Sequence, residues 1–294
     1  MSRNKQGRHY NRPSYNKPTR RRRQNRRLQF TLLIIALVTA ACLFATNAIG
    51  QCRSNHSVAY SGPLDPRALT TVTTPDSIPS QIIEYKAMTV SFNPMTHIPN
   101  WVAWELTADH ATGSEPRTNQ FFQDYDVDGC GSPDDYRNSG YDRGHLAPAG
   151  DMKWDSEAMR QSFLLTNIAP QYPDLNRGTW RRVEEKTRNK AVIDSIVYVV
   201  AGPIVNQPVE MTIGRTGIAV PDYFFKVIIN PYANPPKGIG FIFPNGPTQG
   251  GMQPYAVSID SIEALTGYDF FPTLPADLQH IEANTNFNRW SRNH

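Results

Sequence analysis

Cysteine is nearly missing from this sequence, with three in 294 residues. That is too few for a disulfide scaffold. Cys42 lies inside an apolar run, so Cys52 and Cys130 are the only pair that an exported body could bridge. Two unpaired thiols fit equally well. No CxxC or HxxxH spacing occurs, which argues against zinc. Neither a phosphate loop nor a Rossmann fingerprint follows the GIG at 238–240, which reads as strand. No internal repeat is evident.

Acidic residues are absent from residues 1–27, which carry eleven Lys and Arg. The whole chain has a formal charge of +4, but residues 28–294 hold 19 basic against 26 acidic side chains, a balance of −7. The net charge therefore says nothing for nucleic acid. A polyanion would have to be met by a local basic patch on an acidic body.

Long hydrophobic runs are also scarce. Residues 28–52 are uncharged, yet their most apolar part, residues 30–45, is shorter than the ~20 residues a spanning helix usually needs. A cleaved signal peptide would use the basic start, this run and a small-residue site at Ala48-Ile49-Gly50. An uncleaved anchor would keep the basic tail on the cytoplasmic side, and the long basic start favours it. Both send the body outward, to a bacterial periplasm or cell exterior, and the anchor tethers it to the inner membrane. A mitochondrial transit peptide, leading to the intermembrane space, fits the acid-free start but not the apolar run.

Residues 51–81 are rich in Ser, Thr and Pro and read as a linker; residues 82–294 then read as the working domain. Met88, Val90 and Phe92 alternate with polar neighbours as a half-buried strand does, and WVAWEL follows as a second strand. Residues 110–140 turn polar and form a long surface loop. SIVYVVA, YFFKVII and GIGFIF are further strands. Asp260-Ser-Ile-Glu263 has capping-box spacing, with Gly267 as the stop. The expectation is a single α+β domain with a central antiparallel sheet flanked by helices.

Chemistry concentrates in YDRGHLAPAGD, residues 141–151, and in the stretch after it. Asn176, Trp180, Glu184 and Arg188 recur every fourth residue, so on a helix they drift only about 40° per step and share one face. A solvated helix with Glu–Arg pairs and Trp180 dipping into the core would give the same spacing. With His145 upstream, the segments supply the parts of a metal-assisted phosphodiesterase. His145 is a general base with an ordinary pKa near ~6.5, so cleavage should decline below about pH 6. Asn176 holds Mg²⁺ through its amide oxygen, since Mg²⁺ keeps most of its waters and needs one or two protein ligands. Arg143 and Arg188 grip phosphate oxygens, and Glu184 orients the waters around the ion.

These residues resemble the DNA/RNA non-specific endonucleases. The likeness rests on Asp142-Arg143-Gly144-His145, on Thr166-Asn167, and on Asn176-Arg-Gly-Thr-Trp180 followed by Glu184 and Arg188. It runs on through PDYFFKVII, GIGFIFPN and SIDSIEALTGYDFFPTLP. DRGH alone is a weak match; with the NxGxWxxxE spacing it becomes specific. The resemblance implies a ββα-metal active site that hydrolyses DNA and RNA without strong sequence preference, using Mg²⁺, with Mn²⁺ able to substitute. It implies His145 as base, Asn176 as metal ligand, and Arg143, Glu184 and Arg188 as supporting residues. Asn167 takes a supporting role near the site, and Asp142 positions the turn. The expected partners are DNA and RNA, the membrane if the leader is uncleaved, and, as open alternatives, a second copy of the chain or an inhibitor protein. Two other functions stay open: hydrolysis of another phosphodiester on the same fold, and nucleic-acid binding without catalysis. The remaining six histidines read as solvated or structural. Trp101, Trp104, Phe270 and Phe271 read as core, and Trp180 as packing behind the active-site helix.

Overall fold

The computed structural model describes residue 62 and residues 64–292. The basic tail, the apolar run, Cys42, Cys52, His9, His56 and His294 lie outside the described residues. So do the readings that rest on them: the leader, the first part of the linker (51–61 and 63) and the Cys52–Cys130 bridge. Cys130 itself is buried and has no disulfide partner among the described residues.

Thirteen strands are found among the described residues. In chain order they are β1 (Val72–Thr73), β2 (Gln81–Glu84), β3 (Thr89–Asn93), β4 (Ile98–Thr107), β5 (Asp142–His145), β6 (Ile168–Gln171) and β7 (Ile196–Ile204). There follow β8 (Thr212–Ile213), β9 (Ile218–Ala219), β10 (Tyr223–Asn230), β11 (Lys237–Pro244), β12 (Ala256–Val257) and β13 (Asp269–Phe270). Seven of them form one antiparallel sheet in the order β12-β11-β10-β7-β4-β3-β2. The centre of the sheet is β4, β7, β10 and β11, the four longest and most apolar strands. The edges are short, as they must be where unpaired backbone faces water.

Both faces of this sheet are covered. On one face Val102, Trp104, Val199, Ala201, Phe224 and Ile228 pack under the elements that carry the site. On the other, Trp101, Ala103, Val200, Phe225, Val227 and Ile229 pack under Leu69, Ile259, Ile262, Phe270 and Phe271. Period-two alternation assigns neighbouring residues of one strand to opposite cores. It also explains why β3 is less amphipathic than its alternation suggested: Ser91 is buried beside Val90 and Phe92, with its hydroxyl accepting from Asn100 and within bonding distance of Ser80.

Five helices are described: α1 (Ala108–Ala111), α2 (Ser156–Ser162), α3 (Arg181–Asp194), α4 (Ile259–Thr266) and α5 (Phe287–Ser291). Two local expectations need correction. The N-cap of α4 is Ser258, whose hydroxyl accepts from the Ser261 N–H, so Asp260 lies inside the helix; Gly267 does close it, at φ 75°. Folded structure also begins before residue 82. Leu69 and Val72 are buried, β1 pairs with β13, and the Trp101 indole donates to Thr74. The Ser/Thr/Pro-rich composition there hid two anchoring apolar side chains.

Candidate active site

β5 and β6 form a separate antiparallel ribbon, in which His145 faces Ile168 and Asp142 faces Gln171 across the ladder. Four residues after β6 the chain enters a wide π-type turn (Leu175–Trp180), and α3 follows directly. Gly178 within that turn has non-helical angles, φ −105° and ψ −108°. The helix therefore does not run unbroken from Asn176. Trp180, Glu184 and Arg188 share a face of α3 as the spacing predicted, whereas Asn176 is set apart by the kink. One glycine redirects the chain, which four-residue spacing could not reveal.

The turn is tied to the ribbon by three side chains. The Trp180 indole, fully buried, donates to the His145 carbonyl at 3.2 Å. Asp142 accepts from the Asn176 amide nitrogen at 2.9 Å and from Arg177 through two bonds, at 2.8 and 2.6 Å. The Asn176 Nδ2 is thereby committed, which leaves the Oδ1 of the same amide without a protein donor among the described residues. Asp142, expected to position a turn, positions this amide.

His145 is buried, with 8% of its surface exposed. Its ring packs edge-on to Phe163 at 4.8 Å and against Phe121 at 5.3 Å, and its Nε2 has no hydrogen-bond partner. Burial, with a smaller push from the Arg117 charge, lowers its pKa to about 3. The imidazole is neutral far below its ordinary range, because two aromatic rings replace water around it.

Asn167 is buried and its amide is fully used. Its oxygen accepts from Ala147 N–H at 3.0 Å, and its nitrogen donates to the carbonyls of Ala147 and Ser162, both at 2.8 Å. Expected in a supporting role near the site, it clamps the chain just after His145. Arg143 donates to the Pro133 carbonyl at 2.8 Å and lies between the rings of Phe121 and Tyr136, at 5.2 and 5.8 Å, with its Nε unpartnered. Arg188 donates to buried Asp151 at 2.8 Å, and the Trp104 indole donates to the other carboxylate oxygen at 3.0 Å.

Glu184 forms no ion pair with Arg188; its carboxyl sits in a water-poor pocket that pushes its pKa up to about 7. Burial is the main cause. Asp151 pushes the same way, while Lys226, Arg188 and Arg117 oppose. Lys226, on β10, is almost wholly buried, its ammonium 4.2 Å from the Trp180 ring centre and 5.2 Å from that of Trp104. Burial pulls its pKa down to about 8 against the fields of Glu184 and Asp151.

Arg117, Asp151, Lys226 and Gln171 were missed from the sequence. Arg117 comes from the polar loop, lies over Phe163 at 5.0 Å, and acts electrostatically on both His145 and Glu184. Nothing in its local pattern marks it. Asp151 closes YDRGHLAPAGD, and Lys226 is the one charge inside YFFKVII; a charge within an otherwise apolar strand was a readable signal. Gln171 is fully buried and neither atom of its amide has a protein partner. The other described histidines are structural: His97 and His280 bond to backbone carbonyls, and His110 stacks on Trp154.

Among the described residues no group of three or more His, Cys, Asp or Glu could hold a metal. A cation here would rest on the Asn176 amide oxygen and on waters, a donor set that fits Mg²⁺ and does not fit zinc. A two-stranded ribbon carrying the histidine, followed by a helix carrying the glutamate, defines a ββα-metal nuclease fold. The family model for DNA/RNA non-specific endonuclease matches residues 65–277. This chain belongs to that family.

Similar proteins include mitochondrial Endonuclease G of Bos taurus, 31% identical over 221 residues, covering 70% of this chain and 74% of that protein. A Nuclease of Nostoc sp. is 32% identical over 206 residues, covering 65% and 73%. A solved EndoG/EndoGI complex, described as showing the mechanism of EndoG inhibition, superposes with a TM-score of 0.63 at 28% identity, over 67% of this chain and 87% of that one.

Proposed function

We propose that this DNA/RNA endonuclease is Mg²⁺-dependent, with His145 as general base and Asn176 as the protein ligand of the ion. One observation carries the reading: Asp142 holds the Asn176 nitrogen and leaves the amide oxygen free. Neutral His145, whose ring nitrogens have no protein partner, takes the proton of the attacking water. The water oxygen bonds to phosphorus as the bond to the 3′-oxygen breaks, leaving a 5′-phosphate. Because the nucleophile is water, no 2′-hydroxyl is required, and DNA and RNA are both substrates. Mg²⁺, or Mn²⁺ in its place, neutralises charge on the phosphate and on the departing oxygen when bound. Arg143, Arg188 and Arg117 hold phosphate oxygens, and Glu184 orients water.

The acid-free start and the uncharged run support delivery of the body across a membrane. The compartment is then periplasm or exterior, or the mitochondrial intermembrane space, which the mitochondrial relatives support. The EndoG/EndoGI complex supports an inhibitor protein as a partner.

Plasmid nicking by the purified full chain tests the reading with Mg²⁺, with EDTA, and with His145→Ala. Loss of cleavage under both changes is expected. Persistent cleavage in EDTA, or 2′,3′-cyclic phosphate ends from RNA, would refute it.

A further inference from the structure

A cleft of about 790 Å³ opens between the segment preceding β5 and the β8–β9 hairpin. Arg137, Asn138 and Tyr141 stand on one side, and Met211, Arg215 and Thr216 on the other. The cleft adjoins the candidate active site through one short turn (Pro133–Tyr136). Arg143 donates to Pro133 and lies against Tyr136, while Asp134 and Asp135 of the same turn line the cleft.

The two sides are locked together. The Asp135 carboxylate accepts from Ser132 N–H at 2.8 Å, Arg215 N–H at 2.7 Å, Thr216 N–H at 3.1 Å and Thr216 Oγ1 at 2.8 Å. Gly214, at φ 67°, presses so closely on this turn that a Cβ would lie 2.2 Å from that of Asp135. The hairpin is therefore held at a fixed distance from the catalytic ribbon, and it carries an exposed arginine. The Arg215 guanidinium forms no ion pair or hydrogen bond among the described residues.

The charges decide what such a cleft takes. Burial raises the Asp135 pKa, but the Ser132, Thr216 and Arg215 donors outweigh it and hold the carboxyl below its usual range, so Asp135 keeps its negative charge. Arg137 pairs with Asp134 at 2.9 Å, but both side chains are over 70% exposed, and such pairs contribute about 0–1 kcal/mol, so exchange for a phosphate costs little. Arg137 and Arg215 balance Asp134 and Asp135 in the lining, so the cleft is neutral overall, and what it offers an anion is the Arg215 guanidinium, which has no partner among the described residues. We propose that this cleft is a second phosphate subsite, holding the nucleic-acid strand next to the scissile phosphate through Arg215 and Arg137. The Tyr141 hydroxyl, bonded to the Met211 sulfur at 3.3 Å, closes an apolar floor on which the sugar or base rests.

The proposal rests on the nuclease reading, and the test keeps the two apart. Binding of a fluorescein-labelled single-stranded 12-nucleotide DNA to the full chain is followed by anisotropy in EDTA, at several KCl concentrations. Wild type is compared with Arg215→Gln, the Arg137→Gln/Arg215→Gln double variant, and Arg67→Glu. Arg67 is exposed and flanks Leu69, which packs on the opposite face of the sheet. Each lost phosphate contact should lower the slope of log K against log salt by about 0.7 and weaken binding several-fold at low salt. Arg67→Glu should change neither, and cleavage of a small single-phosphate diester in Mg²⁺ should match wild type in all variants. Wild-type affinity and slope in the double variant would overturn the subsite while leaving the nuclease reading intact. Weaker binding with an unchanged slope would also overturn it, since the lost contact would then not be to phosphate. A wild-type chain that neither binds DNA nor nicks plasmid would overturn both.

Discussion

Replacing His145 with Asn should make the folded protein less sensitive to acid, by an amount that follows from its surroundings. In the unfolded chain this imidazole protonates near its ordinary 6.5; between Phe121 and Phe163 it resists until about pH 3. The folded pKa is the lower one, so the unfolded state binds the proton first. The stability tied to this group is complete above about pH 6.5 and is lost as pH falls towards about 3. At about 1.4 kcal/mol per pH unit, the loss between pH 6.5 and pH 5 comes to ~2 kcal/mol, a sizeable fraction of a typical 5–15 kcal/mol total. Asn carries no charge at either pH. Its smaller volume costs stability equally at both, so the difference between pH values isolates the titration. Urea unfolding of wild type and His145→Asn at about pH 7 and pH 5 is the assay: wild type should lose ~2 kcal/mol more than the variant. Acid-sensitive carboxylates elsewhere are common to both proteins and cancel. Parallel losses would refute the reasoning and mean that water reaches the imidazole.

Asn167→Ala removes three hydrogen bonds and strands two buried carbonyls and an N–H, so a loss of about 2–4 kcal/mol is expected by urea unfolding. A loss under about 1 kcal/mol would show that the clamp is dispensable. Lys226→Met keeps the volume between the Trp104 and Trp180 rings but removes the strongest influence lowering the Glu184 pKa. Glu184 is already near 7, with Asp151 raising it and Arg188 and Arg117 lowering it. The acid limb of the kcat/KM profile in Mg²⁺ should therefore move to higher pH, by about one unit. An unmoved limb would separate Glu184 ionisation from turnover.

The strands were legible because each central one is a run of β-branched and aromatic residues bounded by Gly, Pro or Asn. The DRGH ribbon and the helix face of Trp180, Glu184 and Arg188 were legible because their chemistry is local in sequence. The kink at Gly178 was not. A glycine in a helical pattern reads as a weak helix residue until packing, here the Trp180 indole on the His145 carbonyl, selects a bent path. The cap of α4 was misplaced because two side chains three apart can satisfy the same pattern, and only geometry shows which hydroxyl meets an N–H.

Sequence by itself determined the central sheet-forming segments and marked His145, Asn176, Glu184 and Arg188 as candidates, since these depend on residue type and spacing. Tertiary structure alone decided their states. It brought Arg117, Asp151 and Lys226 to the same pocket from a loop, a turn and a central strand. It spent the Asn167 amide on backbone groups of Ala147 and Ser162. It also took water away from His145, and a pKa depends on everything packed around the group rather than on its neighbours in the chain.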